Sequence, residues 1–274
     1  MLGRGVRESC ESRGLMYPFE QVVDHLQRAD LTFCNLESPL TDRSVRFPRV
    51  NALIASPEMA PILKRVGFDV VSLANNHAVD AGRLGLRRSR ELLADAGVTV
   101  VGAGPTQADA ERGVVVAVNG LRVGFIAYSR FPYINFVRDP DRETVLRLHH
   151  EALGRTVPQL AERCDVLVAS FHWGQEGSTE VTPRERALAH HAVNLGADLV
   201  VGHHAHVRGE IERYGGGLIA YCLGNFVFDE SYGGNEGTIL YCTLSPDGVD
   251  SYSTIPVVVV RGQAQIDESG AGES

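Results

Sequence analysis

The residues best suited to chemistry in this sequence are histidines that directly follow a predicted buried strand. An apolar stretch that begins at Ala197 ends in Gly202-His203-His204-Ala205-His206. Such a stretch is typical of a strand in a parallel sheet, and open α/β sheets bind their ligands just beyond the carboxyl ends of the strands. His204 and His206 are two positions apart, so an extended backbone would point both imidazoles to one side. We therefore expect a metal site at this strand end.

Three other predicted strands also end in polar side chains that commonly bind metals. These residues are Asn35, Glu37, Asn76, His77 and His172. Folding of one sheet system would bring these strand ends to a common edge. Mixed carboxylate, amide and imidazole ligands suit Zn, Mn or Fe(II). Each residue taken singly has another explanation, as a turn former, a surface acid or a rim residue, but together they favour a metal centre.

The bulk composition indicates one large globular domain. The chain has 274 residues, of which 44% are hydrophobic, and we place the domain at 1–262 with a disordered polar tail at 263–274. A formal charge of -8 argues against a nucleic-acid partner. The five cysteines have no paired motif spacing, which indicates reduced thiols in a reducing compartment. The sequence contains neither a long apolar segment typical of a transmembrane helix nor a signal peptide pattern. From this sequence we expect a cytoplasmic protein.

The order of predicted elements indicates an α/β sandwich. Strands alternate with helices over about the first two hundred residues, and the remainder is mostly strand and turn. Helices are predicted at 19–29, 84–96 and 143–163, and a further helix is predicted to start at Thr182-Pro183. Asn119-Gly120 between two apolar runs is a strong hairpin signal. The first six residues suggest a loop that follows a strand.

Five motifs together resemble one bacterial protein family. The motifs are Asn35-Leu36-Glu37, Ala74-Asn75-Asn76-His77 with Asp80 and Gly82, His172-Trp173-Gly174, Gly202-His203-His204-Ala205-His206-Val207, and Leu223-Gly224-Asn225-Phe226 with Asp229. In this order and spacing they resemble the CapA-type family of capsule and poly-gamma-glutamate synthesis proteins. That family is similar to calcineurin-like metallophosphoesterases, which implies a β-sandwich flanked by helices and a two-metal site at the strand ends.

The resemblance also implies roles for individual residues. Asn76, His172 and His204 would bind one metal, Glu37 would be the bridging carboxylate, and His206 would serve the second metal. Among catalytic candidates, His77 would donate a proton or stabilise charge, and Asn35 would be the alternative to Glu37. The pocket residues implied are Asn225, Asp229 and His203.

The beginning of the sequence departs from the family pattern. Relatives carry a strand and a metal-binding Gly-Asp pair before a segment such as Met1-Leu2-Gly3-Arg4, and this sequence shows neither. With that aspartate lacking, we expect one occupied metal position of the two. A leader upstream of the recorded start would instead make the protein membrane-associated or extracytoplasmic.

The expected activity is metal-dependent hydrolysis or transfer. Such a site could act on a phosphoester or on a gamma-glutamyl or peptide bond, with a small molecule, a peptide or polyglutamate as substrate. Two alternatives stay open, namely a non-catalytic assembly or export component that works with other capsule-synthesis proteins, and a peptide-tailoring enzyme that epimerises by proton abstraction.

Overall fold

The computed structural model describes residues 1–42, 52–131, 142–229 and 234–270. The α-helices of these residues are α1 (Gly5–Arg13), α2 (Val23–Gln27), α3 (Met59–Val66), α4 (Gly82–Asp95), α5 (Gln107–Glu111), α6 (His150–Ala161) and α7 (Pro183–Asn194). The strands are β1 (Phe33–Asn35), β2 (Val70–Ser72), β3 (Thr99–Val101), β4 (Ala103–Gly104), β5 (Val114–Val118), β6 (Leu121–Ser129), β7 (Thr144–Val145), β8 (Val166–His172), β9 (Leu199–His203), β10 (Ile211–Tyr214), β11 (Gly217–Ala220), β12 (Glu236–Ser245), β13 (Gly248–Val260) and β14 (Gln263–Ile266).

The strands form a sandwich whose main layer is a six-stranded sheet in the order β10-β11-β9-β8-β6-β5. Its central strands β11, β9, β8 and β6 are parallel, as their continuous apolar sequences predict. Opposite this sheet lie a parallel sheet, β1-β2-β3, and an antiparallel sheet, β12-β13-β14, while β4 and β7 form a separate pair. Apolar residues of all three larger sheets meet in one core.

Alternation along the strands of the six-stranded sheet separates two apolar clusters. In β6, Val123 and Phe125 face the core between the sheets, while Ile126 and Tyr128 face the other side and pack with residues of α6 and α7. Burial on both faces explains why these strands lack an alternating polar pattern. The parallel strands of this buried sheet all end at the same edge, and the polar motifs begin there.

Helix α7 begins with a complete capping box. The Thr182 hydroxyl accepts a hydrogen bond from the Glu185 backbone N–H at 3.3 Å, and the Glu185 carboxylate accepts one from the Thr182 N–H at 3.0 Å. The carboxylate also pairs with Arg130 at 3.0 Å. Glu185 thus connects the start of α7 to the segment after β6, and the predicted helix start at Thr182-Pro183 is confirmed.

The hairpin turn predicted at Asn119-Gly120 is also confirmed. Asn119 and Gly120 have φ values of 50° and 83° and join β5 to β6, as a hairpin turn with two left-handed residues requires. Helix α4 closely follows its predicted range. None of the helices within the described ranges has the length and apolar character needed to cross a bilayer.

Three predicted elements differ from the structure. A loop was predicted for the first six residues, but helix α1 already begins at Gly5, because Val6 and Cys10 bury one side of it. The helix predicted at 19–29 shortens to Val23–Gln27 and is preceded by a 3-10 turn. The helix predicted at 143–163 begins at His150, because Thr144–Val145 forms strand β7 against β4.

The predicted domain boundary at residue 262 is too early. Strand β14 pairs with β13, from Val257 opposite Ile266 to Val260 opposite Gln263. Ala264 is fully buried and Gln263 is nearly so. The domain therefore extends at least four residues into the predicted tail, and residues 271–274 of that tail lie outside the described residues.

Candidate metal centre

The site is built where β8 and β9 end side by side. His172 at the end of β8 lies opposite His203 at the end of β9 in the parallel register. The backbone then leaves the strand, and His204 and His206 have left-handed φ values of 96° and 60°. The predicted extended geometry for His204 and His206 is therefore wrong. The two side chains converge through a strained turn, a feature that occurs most often at functional sites.

Three buried side chains bring ligand atoms to one point. One nitrogen from each of His204 and His206 and one oxygen from Glu37 all lie within 4.8 Å of one another. Ligand atoms about 2.1 Å from a shared ion are at most about 4.2 Å apart, so a small contraction would let these three bind one ion. The geometry groups His206 with His204, whereas the resemblance assigned the two to different metals.

His172 and Asn76 lie directly beside this group. The His172 Nε2 atom is 3.5 Å from Glu37 Oε1 and 2.8 Å from Asn76 Oδ1. The rings of His172 and His204 are 4.8 Å apart between centroids. All five predicted metal ligands therefore lie in one neighbourhood, although they come from the ends of four different strands, β1, β2, β8 and β9.

Several atoms at the centre are buried without a hydrogen-bond partner. Within the described part of the chain these atoms are Glu37 Oε1, His172 Nδ1 and His204 Nδ1. An unsatisfied buried polar atom costs about 1–3 kcal/mol, so a cluster of them is unusual in a site that has only a structural role. A bound cation would satisfy lone pairs on the carboxylate and on neutral imidazoles.

Burial controls the protonation of the centre. Desolvation raises the pKa of Glu37, despite the opposing effect of His206 and His77. Desolvation, followed by the nearby imidazole of His206, lowers the pKa of His204 to about 3, and the pKa of His172 is also well below its usual value. The imidazoles of His172 and His204 are therefore neutral at pH 7, which is the form that binds metals.

Amide side chains orient two of the three central ligands. The amide nitrogen of Asn225 donates to the Gly234 carbonyl at 2.6 Å, which leaves its oxygen to accept from His206 Nδ1–H at 2.8 Å. His206 Nε2 therefore keeps its lone pair for a metal. Asn35 donates to Glu37 Oε2 at 3.3 Å, and Asn75 in turn donates to Asn35 Oδ1 at 3.1 Å.

His77 lies at the rim of the centre and is held by a buried carboxylate. Its Nδ1–H donates to Asp80 Oδ2 at 2.6 Å, and the same oxygen accepts from the Leu53 backbone N–H at 2.9 Å. The His77 side chain is 19% exposed while that of Asp80 is 1% exposed. This arrangement fixes the tautomer and leaves His77 Nε2 free for proton transfer.

Two of the predicted pocket residues, His203 and Asp229, lie outside the group of central ligands. His203 points to the core side of β9, lines a cavity beneath the centre and lies against Phe33, with ring centroids 6.1 Å apart. Asp229 contacts the start of α1, where it accepts from the Gly5 N–H at 3.3 Å and pairs with Arg4 at 3.5 Å. Only Asn225 of the predicted pocket residues touches a central ligand.

Sequence reasoning missed two residues at the centre. The Phe131 ring lies over His204 with centroids 3.9 Å apart, and Glu176 Oε1 is 3.9 Å from His204 Nε2. Phe131 follows β6 at the same sheet edge, which is a signal that could have found it. Glu176 comes four residues after His172 in a loop, and nothing in the local sequence indicates its direction.

The fold is shared with solved structures of low sequence identity. A hypothetical protein from Thermus thermophilus aligns over 89% of this chain and 93% of its own, with a TM-score of 0.60 and 19% identity. A 5'-nucleotidase precursor from the same organism aligns over 93% of this chain and 50% of its own, with a TM-score of 0.56 and 15% identity. The predicted calcineurin-like metallophosphoesterase fold is confirmed.

Sequence comparison identifies closer relatives. The capsule biosynthesis protein CapA of Bacillus anthracis is 30% identical over 271 residues, which are 96% of this chain and 66% of that protein. The PGA biosynthesis protein CapA of Bacillus subtilis is 30% identical over 261 residues, which are 94% of this chain and 69% of that protein. The chain thus spans about two thirds of the length of these relatives. The family described as bacterial capsule synthesis protein PGA_cap matches residues 1–230, and the chain belongs to this family.

Proposed function

We propose that this protein is a metal-dependent hydrolase or transferase that acts in the production of a capsule or poly-gamma-glutamate polymer. The bond attacked is a phosphoester or a gamma-glutamyl or peptide bond. One observation carries this proposal, namely the convergence of Glu37, His204 and His206 with their ligand atoms within 4.8 Å and buried. A purely structural cluster would be expected to pair these atoms with one another or with the backbone.

The donor set fits a divalent ion of the Zn, Mn or Fe class. One carboxylate and two imidazoles are three protein ligands, a number that leaves a position open in catalytic sites of this kind. When bound, such an ion supplies Lewis-acid polarisation of a phosphoryl or carbonyl oxygen and a hydroxide nucleophile at neutral pH. His172 and Asn76 lie beside this set, where they would contact a second ion or the substrate.

His77 is the proton donor in this proposal. Asp80 holds its Nδ1–H, so a proton carried on Nε2 can pass to the leaving group as the bond breaks. The buried Asp80 carboxylate stabilises the imidazolium that carries this proton. Phe131 covers the face of His204 and excludes water from that side of the centre.

The relatives indicate the biological context. The names of the Bacillus proteins refer to capsule and PGA biosynthesis, and a Mycobacterium tuberculosis relative, 28% identical over 255 residues, is named a probable polyglutamine synthesis accessory protein. We infer that this chain works with other synthesis proteins on a polymer of this kind. Release or trimming of the polymer would use the hydrolytic chemistry described above.

The test is a cleavage assay with metal dependence. Protein stripped of metal and reloaded with Mn, Zn or Fe(II) should cleave bis(p-nitrophenyl) phosphate or gamma-glutamyl p-nitroanilide. His77→Gln should lower kcat by about a hundred- to ten-thousand-fold and leave metal content unchanged. His150→Gln, on the far surface of α6, is the matched control and should retain activity.

Three results would contradict the proposal. Equal rates with and without metal would remove the ion from the reaction. Absence of cleavage of both substrates by metal-loaded protein, together with normal polymer production in cells by a Glu37→Ala/His204→Ala variant, would favour the assembly role instead. Deuterium incorporation at a peptide Cα without cleavage would favour epimerisation.

A further inference from the structure

The loop that follows β8 is hydrogen-bonded to the histidine turn of the metal centre at two points. The Trp173 N–H donates to the His203 carbonyl at 3.1 Å, and the Gly177 N–H donates to the Ala205 carbonyl at 2.8 Å. Glu176 lies between these two points in the chain. Because both bonds end on the turn that carries two of the central ligands, the loop keeps a fixed position relative to them.

A tight turn within this loop positions Glu176. The Ser178 N–H donates to the Gln175 carbonyl at 3.1 Å, which makes Glu176 the second residue of a four-residue β-turn. Gly177, the third residue, has a φ of 77°, as a type II turn requires. The turn thereby holds Glu176 at a corner of the loop, with its side chain directed to the metal centre.

Glu176 and Phe131 lie against the same imidazole. The Glu176 Oε1 atom is 3.9 Å from His204 Nε2, and the centroid of the Phe131 ring is 3.9 Å from that of His204. The Glu176 side chain is 40% exposed, while that of His204 is 5% exposed. The carboxylate therefore lies at the solvent-facing rim of the centre, where a substrate would arrive.

The charge of Glu176 favours one class of substrate over another. A metal-bound imidazole is neutral, so the contact with His204 leaves the carboxylate negative. A negative group at this position repels a phosphodiester and attracts an ammonium group. An aromatic ring also attracts an ammonium group within about 6 Å of its centroid, and Phe131 supplies a ring beside the same imidazole. The carboxylate and the ring together therefore suit an organic cation.

We propose that Glu176 binds the free α-ammonium group of a gamma-glutamyl amide whose carbonyl carbon is attacked at the metal centre. This role rests on the hydrolase function proposed above and selects the gamma-glutamyl bond among its targets. Four bonds separate the carbonyl carbon from the ammonium nitrogen in such an amide, a span of about 5 Å when extended. A carbonyl group at the centre can therefore place the ammonium group at the Glu176 carboxylate.

Recognition of the ammonium group determines where a polymer is cut. In a gamma-linked chain only the first residue keeps a free α-amino group, because every other one is acylated. Hydrolysis of the first C–N bond takes up one water and releases glutamate and a shortened polymer, whose new end again carries an ammonium group. Glu176 thus confines cleavage to the amino end of the chain, one residue at a time.

The test compares gamma-L-glutamyl p-nitroanilide with glutaryl p-nitroanilide, which has the same chain and carboxylate but lacks the ammonium group. Zinc-loaded protein should bind the gamma-glutamyl compound about 10–100-fold more tightly, as expected for a hydrogen bond between charged groups. In Glu176→Gln this preference should fall below about threefold, with zinc content unchanged. Glu180→Gln, which changes an exposed glutamate of the same loop, is the matched control and should keep the preference.

The preference is measured as a ratio of dissociation constants by calorimetry, or as a ratio of kcat/KM if the compounds are cleaved. Absence of cleavage would contradict the hydrolase proposal, whereas the binding ratio tests Glu176 by itself. Three outcomes would overturn the role of Glu176. These are equal or absent binding of the two compounds by the parent, an unchanged preference in Glu176→Gln, and a loss of zinc in Glu176→Gln, which would make Glu176 a metal ligand instead.

Discussion

Two groups of histidines in this protein show how packing decides whether imidazoles form a site. The strand-end group comprises His172, His204 and His206, and the helix group comprises His150, His190 and His191. In the helix group, His150 and His191 stack with ring centroids 3.6 Å apart at 13°, and His190 stacks on Tyr214 at 3.5 Å.

The strand-end rings do not stack. The His172 and His204 rings are tilted by 55°, and the His204 and His206 rings by 49°. Nitrogen lone pairs lie in the ring plane, so two parallel stacked rings cannot direct them to one point, whereas tilted rings can. Among the described residues only the strand-end group joins a carboxylate to form a set of three converging ligand atoms. Clustering in sequence is therefore insufficient, and ring orientation separates the two groups.

The largest effect expected is the loss of metal binding in a His204→Ala/His206→Ala variant. Two of three central ligands are removed, so affinity for Zn or Mn should fall by more than about 100-fold, beyond the effect of losing an outer partner. His190→Ala/His191→Ala in the helix group should bind as the parent does. Equilibrium dialysis with elemental analysis measures both, and equal losses would invalidate the distinction.

A smaller loss is expected at the amide that orients His206. Asn225→Ala removes the acceptor for His206 Nδ1–H, so metal affinity should fall by about 10–100-fold. The control is Asn194→Ala, which removes a 3.3 Å hydrogen bond to Tyr214 beside the helix group. Titration calorimetry of the two variants gives the comparison, and unchanged affinity in Asn225→Ala would show that the ring is held by packing alone.

The buried His203 at the end of β9 should make the free energy of unfolding sensitive to acid. Burial lowers its pKa to about 4. The unfolded chain, with a pKa of about 6.5, then binds more protons than the folded chain, so stability is full above pH 6.5 and falls as pH decreases toward 4. Between pH 7 and pH 5 this group alone should reduce the free energy of unfolding by about 2 kcal/mol.

Urea unfolding of His203→Leu at both pH values tests this expectation. The variant should lose about 2 kcal/mol less than the parent on acidification. Leu199→Val, which alters the same cavity without a titratable group, should lose as much as the parent. Identical acid sensitivity in His203→Leu and the parent would show that His203 is hydrated in the cavity.

The smallest effect concerns the strained turn. Left-handed φ at a non-glycine residue costs about 1 kcal/mol or more, so His204→Gly should stabilise the metal-free protein by about 1 kcal/mol while weakening metal binding. His190→Gly in the helical α7 should instead destabilise it by about 1 kcal/mol. Thermal unfolding in a chelator measures both, and destabilisation by His204→Gly would show that the ring contributes more packing than its backbone costs.

Much of the fold could be predicted from sequence because its strongest signals are local. Continuous apolar runs identified β2, β8 and β9, and Asn119-Gly120 identified a hairpin whose two φ angles are left-handed. Helix α1 was missed because its buried side consists of only Val6 and Cys10. Strand β14 was missed because its pairing with β13 is a tertiary contact that short polar sequences do not indicate.

The composition of the site was more predictable than its geometry. Parallel strands end at one edge, so residues after different strands could be grouped without knowledge of the fold. The direction of each side chain depended on loop backbone, which local sequence does not fix. The left-handed turn at His204 and the approach of Glu176 are both of this kind.

The double use of Glu185 has an evolutionary consequence. Its carboxylate caps α7 and also pairs with Arg130, the residue before the ring that covers His204. A change at position 185 would disturb a helix start and a loop anchor together, so neither residue is free to drift alone. In an alignment of many homologous sequences, positions 130 and 185 should accordingly covary.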